Sequence, residues 1–275
     1  MSINEFSPFI HLIYAQPAFQ LPKLPDIQQR IAVVSGLAAA KIRIELPDHP
    51  FGHFSGNITY DEHKVLVSGL LTPLPQPIID RTIHLSHWPA QIRAAMRHHQ
   101  SHLSLIYTGK VYDPVRQMSA LYTVAHALAD ENLLGIVNEQ AWTAHPPADF
   151  LLPEKIRSYQ TDLPFLIWVG YIKFFLDKQN YWFVTKGHHI FDIPDLATFI
   201  GNSQDTAEVM DQFITIFHYL YNKDVTLTAG DTMEIQPSGQ ILRFTEVTEY
   251  PEFLMGPSGT LVVEPITPDQ VNPAA

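Results

Sequence analysis

The chain has 275 residues, of which 46% are hydrophobic and 16% are charged, and it contains no cysteine. This apolar content is enough for packed cores and excludes an intrinsically disordered chain, while the lack of cysteine excludes disulfides, thiolate metal sites and a cysteine nucleophile. The formal net charge is −11, with −2 on residues 1–150 and −9 on the remainder, a balance that disfavours binding to nucleic-acid phosphates.

Two stretches of the sequence indicate whether the protein is secreted or spans a membrane: its first residues and its most apolar segment. Residues 1–19 carry no basic region before their apolar run, so we expect no cleaved signal peptide. Residues 164–176 are too few to cross a bilayer and include Lys173. We therefore expect a cytoplasmic protein that is not integral to a membrane.

The first half of the chain alternates between strand and helix patterns. Runs of β-branched and aromatic residues predict strands, and apolar residues at helical spacing predict helices. The strands are expected at residues 9–15, 41–46, 51–60, 64–71, 102–107 and 133–137. The helices are expected around residues 27–34, 88–99 and 114–129. Asp113 and Pro114 have the order of an N-cap and a first-turn proline, which marks the start of the third helix.

Three connecting segments in this half have distinctive sequences. Residues 61–63 are polar and of hairpin length, so the strands on either side are predicted to pair antiparallel. Residues 72–77 contain three prolines and are predicted to cross between elements as rigid, extended chain. Prolines 146, 147 and 153 lie in a region without periodicity, which places a domain boundary near residue 150.

In the second half, residues 165–176 and 181–185 are predicted to form a long buried hairpin joined by the polar residues 177–180. A helix is predicted from Asp205, its capping residue, to Asn222. Three short strands are predicted at residues 232–235, 241–246 and 260–264.

These elements together predict an α+β fold with two mixed or antiparallel sheet layers, each covered by helices, and ferredoxin-like halves are one candidate arrangement. The expected organisation is an N-terminal α+β domain at residues 1–150, a C-terminal α+β domain at residues 151–265 and a disordered tail at residues 266–275.

A first histidine cluster comprises His98, His99 and His102, close in sequence to His84 and His87. Imidazoles at this density could ligate zinc or another divalent ion. They also fall where a helix is predicted to end and a strand to begin, and histidines at helix C-termini commonly cap or pack there. The sequence favours the structural interpretation.

A second cluster follows Gly187 and comprises His188, His189, Asp192 and Asp195. Its nitrogen and oxygen atoms could hold a divalent cation, and a carboxylate beside histidine could perform acid/base chemistry. Adjacent side chains on extended backbone point to opposite faces, however, so the two histidines are poorly placed to meet one ion. A structural role is again favoured, with the aspartates capping the turns around Pro194.

Asp231 and an aromatic run are further candidates. An aspartate at the start of a strand can bind a substrate hydroxyl or a metal, but after Gly230 it is better explained as an Asx-turn. The aromatic residues could line a pocket or a partner surface, although burial in the core is the more frequent outcome. The run comprises Trp168, Tyr171, Phe174, Phe175, Tyr181, Trp182 and Phe183.

The common catalytic signatures are missing from the sequence. There is no phosphate-binding GxxxxGK[ST] loop, no GxGxxG dinucleotide fingerprint, no GxSxG nucleophile elbow and no HExxH metalloprotease motif. No catalytic residue is therefore predicted, and no cofactor is expected.

Several short motifs resemble those of the bacterial domain of unknown function family 4261. The C-terminal motifs are Thr185 and Gly187, then Phe191, Pro194, Asp195 and Leu196, and later Leu227, Gly230, Asp231 and Thr232. The upstream motifs are Pro73, Pro75, Pro77 and Ile78, then Trp88, then His99, His102 and Leu103. Two positions depart from the family's pattern, because Asp192 stands where glycine is expected and Asp195 where glutamate is usual. The resemblance spans most of residues 10–265 and implies a bacterial intracellular protein whose two halves form one functional unit, and it transfers no catalytic residue.

The leading hypothesis is a non-enzymatic binding or protein-interaction module, of the kind found among immunity proteins, with a basic protein as its partner. The acidic second half and the abundant aromatics motivate it. The alternative is a metal-assisted hydrolase that uses the clustered histidines with Asp192, Asp195 or Asp231. A small-ligand sensor with an aromatic pocket is a third hypothesis. The sequence does not indicate an oligomeric state.

Overall fold

A computed structural model describes residues 7–47, 52–148, 150–201, 205–223, 225–236 and 238–271. The chain divides into two compact units, Met1–Trp168 and Val169–Ala275, here called the N-terminal unit and the C-terminal unit. The predicted α+β fold is confirmed, with one seven-stranded and one six-stranded sheet. Among the described residues, no helix is long and apolar enough to cross a membrane.

The N-terminal unit is built on the seven-stranded sheet, whose strands all pair antiparallel. The strands are β1 (Phe9–Tyr14), β2 (Ile42–Glu45), β3 (Phe54–Tyr60), β4 (His63–Leu70), β5 (Ser101–Tyr107), β6 (Leu133–Asn138) and β7 (Thr143–His145). The helices are α1 (Leu24–Ser35), α2 (Gln76–Arg81), α3 (Ala90–Arg97), α4 (Pro114–Leu128), α5 (Pro153–Ser158) and α6 (Phe165–Trp168), with a 3-10 helix at Ala39–Lys41. The strand order is β2-β3-β4-β5-β1-β6-β7, so β1 lies inside the sheet between β5 and β6.

Alternation along β1 divides the core between the two faces of this sheet. On one face α4 packs against β1, β4 and β5, and Tyr14 donates a hydrogen bond to the Leu128 carbonyl near the end of that helix. On the other face Ile13 packs in a cluster with Ile83 and Met96, which belong to the α2 and α3 region. Helices therefore cover both faces, as expected for a sheet whose central strands are apolar on each side.

The C-terminal unit has a mixed sheet with the order β11-β12-β13-β10-β9-β8. Its strands are β8 (Gly170–Phe175), β9 (Tyr181–Lys186), β10 (Asp195–Ile200), β11 (Thr232–Ile235), β12 (Gln240–Glu246) and β13 (Thr260–Ile266). Its helices are α7 (Thr206–Lys223) and α8 (Pro251–Leu254), with 3-10 helices at His188–Phe191 and Pro268–Gln270. Among the described strands of this sheet, only β10 and β13 pair parallel. Helix α7 covers one face, where Phe213 stacks on Phe183 of β9 at 5.9 Å between ring centroids.

The boundary between the units lies further along the chain than the proline-rich region near residue 150. Helix α5 packs against α1 and α4, and Trp168 lies 5.6 Å from the ring of Tyr159 and 6.1 Å from that of Tyr122. These contacts keep residues 151–168 in the N-terminal unit, because burying two large aromatic rings outweighs the local proline signal. Both sheets also have more strands than the four of a ferredoxin-like half.

Three predicted segments differ from the structure. The rigid crossing segment is shorter than the predicted 72–77, because Thr72 lies in a bend and α2 begins at Gln76. Pro77 occupies the first turn of α2, where its missing N–H would be unpaired in any case. Residues 165–168 form the short helix α6 rather than the start of a strand, since Pro164 begins a helical turn and its carbonyl accepts from the N–H of Ile167. The hairpin predicted there was expected to be buried, but β8 is an edge strand with exposed Lys173 and Phe175.

The predicted tail is structured where the structure describes it. Strand β13 extends to Ile266, and a 3-10 helix follows in which Thr267 and Gln270 cap each other through a reciprocal capping box. The disorder expected from residue 266 is therefore wrong for residues 266–271. Residues 272–275, and Phe51 at the start of one predicted strand, lie outside the described residues.

The start of α4 allows a direct test of the predicted N-cap at Asp113. Asp113 Oδ1 accepts from the backbone N–H groups of Val115, at 2.9 Å, and Arg116, at 3.3 Å. Replacing Asp113 with alanine removes this acceptor, so we expect the free energy of unfolding in urea to fall by about 1 kcal/mol. Asp113→Asn keeps an oxygen in the same place and should cost only a few tenths of that. Equal losses in both variants would show that the charge, rather than the cap hydrogen bonds, stabilises the helix.

Candidate functional site

The corner that joins β9 to β10 carries most of the site residues predicted in the second half. Gly187 ends β9 with φ 106°, and the 3-10 helix His188–Phe191 follows. Asp192 has φ 59° and closes this helix in the left-handed region, and β10 begins at Asp195. Glycine accepts a positive φ without steric cost, while aspartate is among the few other residues that tolerate it. The backbone itself therefore explains Gly187 and Asp192.

Asp195 lies at the centre of this corner and is buried, with only 1% of its surface exposed. Its Oδ1 accepts from the backbone N–H of His188 at 3.2 Å and from the Thr185 hydroxyl at 3.3 Å. The same hydroxyl accepts from the backbone N–H of Leu196 at 2.8 Å. Gly256 lies so close that a Cβ there would be 2.1 Å from Asp195 Oδ2. The carboxyl group thus holds β9, the 3-10 helix and the start of β10 together.

Lys186 is the residue whose positive charge lowers the pKa of this carboxyl group, and it is itself buried. Its Nζ donates to the carbonyls of Leu254 at 2.8 Å and Met255 at 3.1 Å. Burial lowers the pKa of Lys186, and the Asp195 charge opposes that change. Burial raises the pKa of Asp195 to about 7, while Lys186 pulls it down in part.

A lysine and an aspartate with perturbed pKa values have the chemistry of an acid/base pair. Access decides against that use, because Asp195 is 1% exposed and Lys186 is 3% exposed. A substrate would have to open the corner, and doing so would break the hydrogen bonds that define it. We therefore interpret the pair as a structural clamp between α8 and the β9–β10 corner.

The two histidines of this corner are also buried and uncharged. His188 Nδ1 donates to the Pro194 carbonyl at 3.0 Å, and its ring lies 5.2 Å from that of Phe217 on α7. Burial lowers the pKa of His188 and of His189 to about 4, so both are neutral at pH 7. Asp192 is exposed at the far end of the 3-10 helix. In the described part of the chain, no group of three or more His, Cys, Asp or Glu side chains is arranged to hold a metal ion.

The first histidine cluster of the sequence divides between surface and core. His98 is exposed, whereas His99 is buried between the end of α3 and the extended segment before α2. His99 Nδ1 donates to the Met96 carbonyl at 2.7 Å, and its Nε2 accepts from the Leu74 N–H at 2.8 Å. This single ring satisfies one backbone acceptor and one backbone donor inside the core.

His102 secures the same extended segment from the sheet. Its Nδ1 donates to the Thr72 carbonyl at 2.8 Å, and burial lowers its pKa to about 4. Trp88, another predicted candidate, donates from Nε1 to the Ala144 carbonyl at 2.8 Å and packs against the cluster of Ile13 and Met96. These residues of the upstream motifs thus tie α2, α3 and the segment between β4 and α2 to one face of the sheet.

Asp231 forms the turn that precedes β11. Its Oδ2 accepts from the N–H of Thr228 at 2.7 Å and from the Thr228 hydroxyl at 3.0 Å. The backbone N–H of Asp231 donates in return to the Thr228 carbonyl at 3.2 Å. The predicted Asx-turn would bond two residues further along the chain, whereas Asp231 bonds back to Thr228, three residues before it. The carboxylate still has a structural role in the turn, and one of its oxygens is occupied.

Sequence reasoning missed a network on the same sheet face as α2 and α3. His11 Nδ1 lies 3.0 Å from the Ser104 hydroxyl, and His11 Nε2 lies 3.4 Å from Glu139 Oε2. Arg81 donates to Glu139 Oε1 at 2.6 Å. The hydrogen bond from His11 and the charge of Arg81 hold the pKa of Glu139 below its usual range. No sequence signal joins these four residues, since they come from four elements far apart in the chain.

This Ser–His–Glu connectivity resembles a catalytic triad, but its surroundings do not suit acyl transfer. Ser104 lies in the middle of β5, opposite Ser68 of β4 on one side and His11 of β1 on the other. Backbone N–H groups around it are committed to the two strand ladders and are not free to form an oxyanion hole. We interpret the network as a polar brace across β5, β1 and α2.

Comparison with known proteins adds no relative: no family model matches the chain, and no curated protein or solved structure is significantly similar to it. The resemblance to the bacterial family therefore rests on the short motifs alone. What the geometry adds is that Thr185, Gly187 and Asp195 of those motifs meet in one corner, and that Trp88, His99 and His102 share one face of the other sheet.

The buried carboxyl group of Asp195 gives a prediction about pH. The folded protein keeps the Asp195 proton up to about pH 7, whereas the unfolded chain releases it near 3.8. The folded state therefore binds more protons in this window, and stability is lost as the pH rises through it. Asp195→Asn cannot ionise, so the unfolding free energy of the wild type minus that of the variant should fall by on the order of 1 to 3 kcal/mol between pH 5 and pH 8.

Urea unfolding at a series of pH values measures this difference, and contributions from the histidines cancel because both proteins contain them. Thr185→Val is the control, since it removes a hydrogen bond but keeps the carboxyl group. It should destabilise the protein by about 1 to 3 kcal/mol at every pH. A wild-type minus Asp195→Asn difference that does not change with pH would contradict the assignment.

The role of His99 can be separated from that of its neighbour. His99→Ala leaves the Leu74 N–H unpaired in the core and removes the shorter of the hydrogen bonds to the Met96 carbonyl, which keeps the backbone N–H of residue 99 at 3.3 Å. We therefore expect a loss of about 2 to 4 kcal/mol in unfolding free energy. His98→Ala changes an exposed side chain and should stay within about 0.5 kcal/mol of the wild type. Chemical denaturation of both variants measures this contrast. Similar losses in the two would refute the bridging role of His99.

Proposed function

We propose that the protein is a non-enzymatic protein-interaction module, and that its C-terminal unit binds an extended, basic segment of a partner protein. The observation that supports this most directly is a row of aromatic side chains beside an unpaired sheet edge. Enzyme chemistry receives less support, because Asp195 and Lys186, an acid and a base with perturbed pKa values, are buried.

The aromatic row comprises Phe253, Phe174, Trp182 and Phe199. Phe174 lies opposite Trp182 in the β8–β9 register, and Trp182 lies opposite Phe199 in the β9–β10 register. Ring centroids are 5.8 Å apart for Trp182 and Phe199, and 5.2 Å apart for Phe174 and Phe253 of α8. Phe199 and Phe253 each leave 45% of their surface exposed. Exposed aromatics grouped in this way are typical of the central residues of protein interfaces.

The row ends at β8, which among the described residues pairs only with β9. An edge strand offers unpaired N–H and C=O groups to an added strand, and alternate side chains of that strand would then lie on the aromatic row. Lys173 is exposed on the opposite face of β8, with its Nζ 5.0 Å from the centre of the Tyr181 ring and 3.3 Å from the Thr206 hydroxyl. Lysine on an edge strand discourages self-association, which leaves the edge for a chosen partner.

Charge favours a basic occupant. The C-terminal unit has five basic and fourteen acidic residues, a net charge of −9. Glu249 and Glu252 are exposed in the segment that leads into Phe253. An acidic surface attracts basic partners and repels acidic ones, and it speeds association at low ionic strength.

The proposal predicts which peptides the protein will select. Display of random ten-residue peptides against the immobilised chain should enrich sequences that alternate apolar residues with lysine or arginine. Fluorescence polarisation of a selected peptide should show binding that weakens as salt rises, because exposed charges are screened. Phe253→Ser and Phe199→Ser should each weaken binding about tenfold or more, as is usual for central aromatic residues.

Tyr112→Ser is the matched control, since Tyr112 is 75% exposed but belongs to the N-terminal unit. It should bind the selected peptide as tightly as the wild type. Enrichment of acidic peptides, or equal weakening by the three substitutions, would overturn the proposed surface.

A further inference from the structure

A separate cavity in the N-terminal unit has the chemistry of a ligand site. Its volume is about 260 Å³, and its walls come from the end of α1, the turn between β3 and β4, helix α4 and helix α5. Its polar lining includes Arg116, Ser119, Thr123, His63, Arg157 and Asp61. This site is distinct from the aromatic row and from the β9–β10 corner, both of which belong to the C-terminal unit.

Two guanidinium groups line this cavity, and each has N–H donors that are not used in hydrogen bonds within the described part of the chain. Arg157 Nη1 donates to the Val33 carbonyl at 3.0 Å, and Arg116 Nη2 lies 3.7 Å from Glu62 Oε2, beyond hydrogen-bond distance. Each guanidinium has five N–H donors in a planar fork, and such forks match the oxygens of carboxylates and phosphates. Arg116 side-chain exposure is 39%, so it can exchange solvent for a ligand.

A buried hydroxyl in the same cavity wall is an independent observation. Ser119 is 4% exposed, and its Oγ has no hydrogen-bond partner in the described part of the chain. Four residues along α4, the Thr123 hydroxyl donates back to the Ser119 carbonyl at 2.8 Å, so it does not satisfy the serine side chain. A buried hydroxyl without a partner costs on the order of 1 to 3 kcal/mol, which a bound acceptor would recover.

Two acidic residues lie near the arginines: Asp61 lines the cavity, and Glu62 lies beside Arg116 without being part of the lining. Asp61 has φ 49° at the tip of the hairpin turn and is exposed, and the Glu62 side chain is 67% exposed. His63 is uncharged at neutral pH, since burial and then the Arg116 charge lower its pKa. One of its ring nitrogens, Nδ1, lies 3.1 Å from the Tyr107 hydroxyl. The residues that line the cavity therefore carry two positive charges, on Arg116 and Arg157, against the single negative charge of Asp61.

We propose that this cavity binds a small oxyanion, a carboxylate or phosphate group carried by a small molecule, with Arg116 and Arg157 holding the anion and Ser119 donating to it. The volume of 260 Å³ limits the occupant to a compact ligand, because one water molecule takes about 30 Å³ of liquid volume. The function is binding, and no bond is made or broken at the site.

Calorimetric titration of the full chain with inorganic phosphate and, separately, with succinate tests the proposal and distinguishes the two anion types. Binding of at least one probe is expected at low ionic strength. Arg116→Gln and Arg157→Gln should each weaken it about tenfold to hundredfold, the usual effect of removing a hydrogen bond to a charged group. Ser119→Ala should weaken it several-fold while leaving the thermal midpoint unchanged or raised, because the variant loses an unpaired buried hydroxyl.

Arg43→Gln is the matched control, since Arg43 is 78% exposed on β2, pairs with Glu45 at 2.6 Å and lies outside the cavity. Its affinity for the probe should equal that of the wild type. The proposal is overturned if neither probe binds at millimolar concentration. It is equally overturned if Arg43→Gln weakens binding as much as Arg116→Gln, or if Ser119→Ala changes stability and leaves affinity untouched.

Discussion

Burying a polar side chain costs free energy unless it gains a hydrogen-bond partner, and this constraint explains what the conspicuous histidines, Asp195 and Lys186 do. His99, His102 and His188 each pair with a backbone carbonyl inside the protein. Asp195 accepts from a backbone N–H and a hydroxyl, and Lys186 donates to two carbonyls. Residue types that suggest catalysis in a sequence thus hold chain segments together in this fold. The surfaces available for function are consequently elsewhere.

Local signals in the sequence predicted most of the elements. Asp113 and Pro114 begin α4 as predicted, and Gly36 ends α1 in the left-handed conformation. The predicted antiparallel pairing of β3 and β4 is confirmed, although the turn comprises only Asp61 and Glu62, because His63 already belongs to β4. In each case the deciding interaction lies within a few residues. Such interactions are encoded by propensity and spacing, which a single sequence contains.

Elements set by distant contacts were missed. Strand β10 pairs parallel with β13, which lies more than sixty residues further along the chain. No local sequence pattern near Asp195 predicts this pairing. Helix α6 depends on Trp168 packing against Tyr122 and Tyr159. The candidate sites follow the same rule. The histidine clusters could be found in the sequence because their members are neighbours along the chain. The His11–Glu139–Arg81 network and the cavity at Arg116 and Arg157 could not, because they form where separate elements converge. Convergence of that kind leaves no periodic trace in the sequence.

The position of β1 has a consequence for how the N-terminal unit assembles. It is the first strand of the unit, yet it lies between β5 and β6, whose residues follow about ninety or more positions later. During synthesis β1 must wait unpaired until both partners have been made, while β2, β3 and β4 can pair as consecutive hairpins. Contacts between such distant residues slow folding, because a long loop must close before they form. The sheet is therefore completed only when β1, the strand synthesised first, inserts between β5 and β6. Until then β1 is an unpaired apolar strand, and it needs protection from aggregation while the rest of the unit is synthesised.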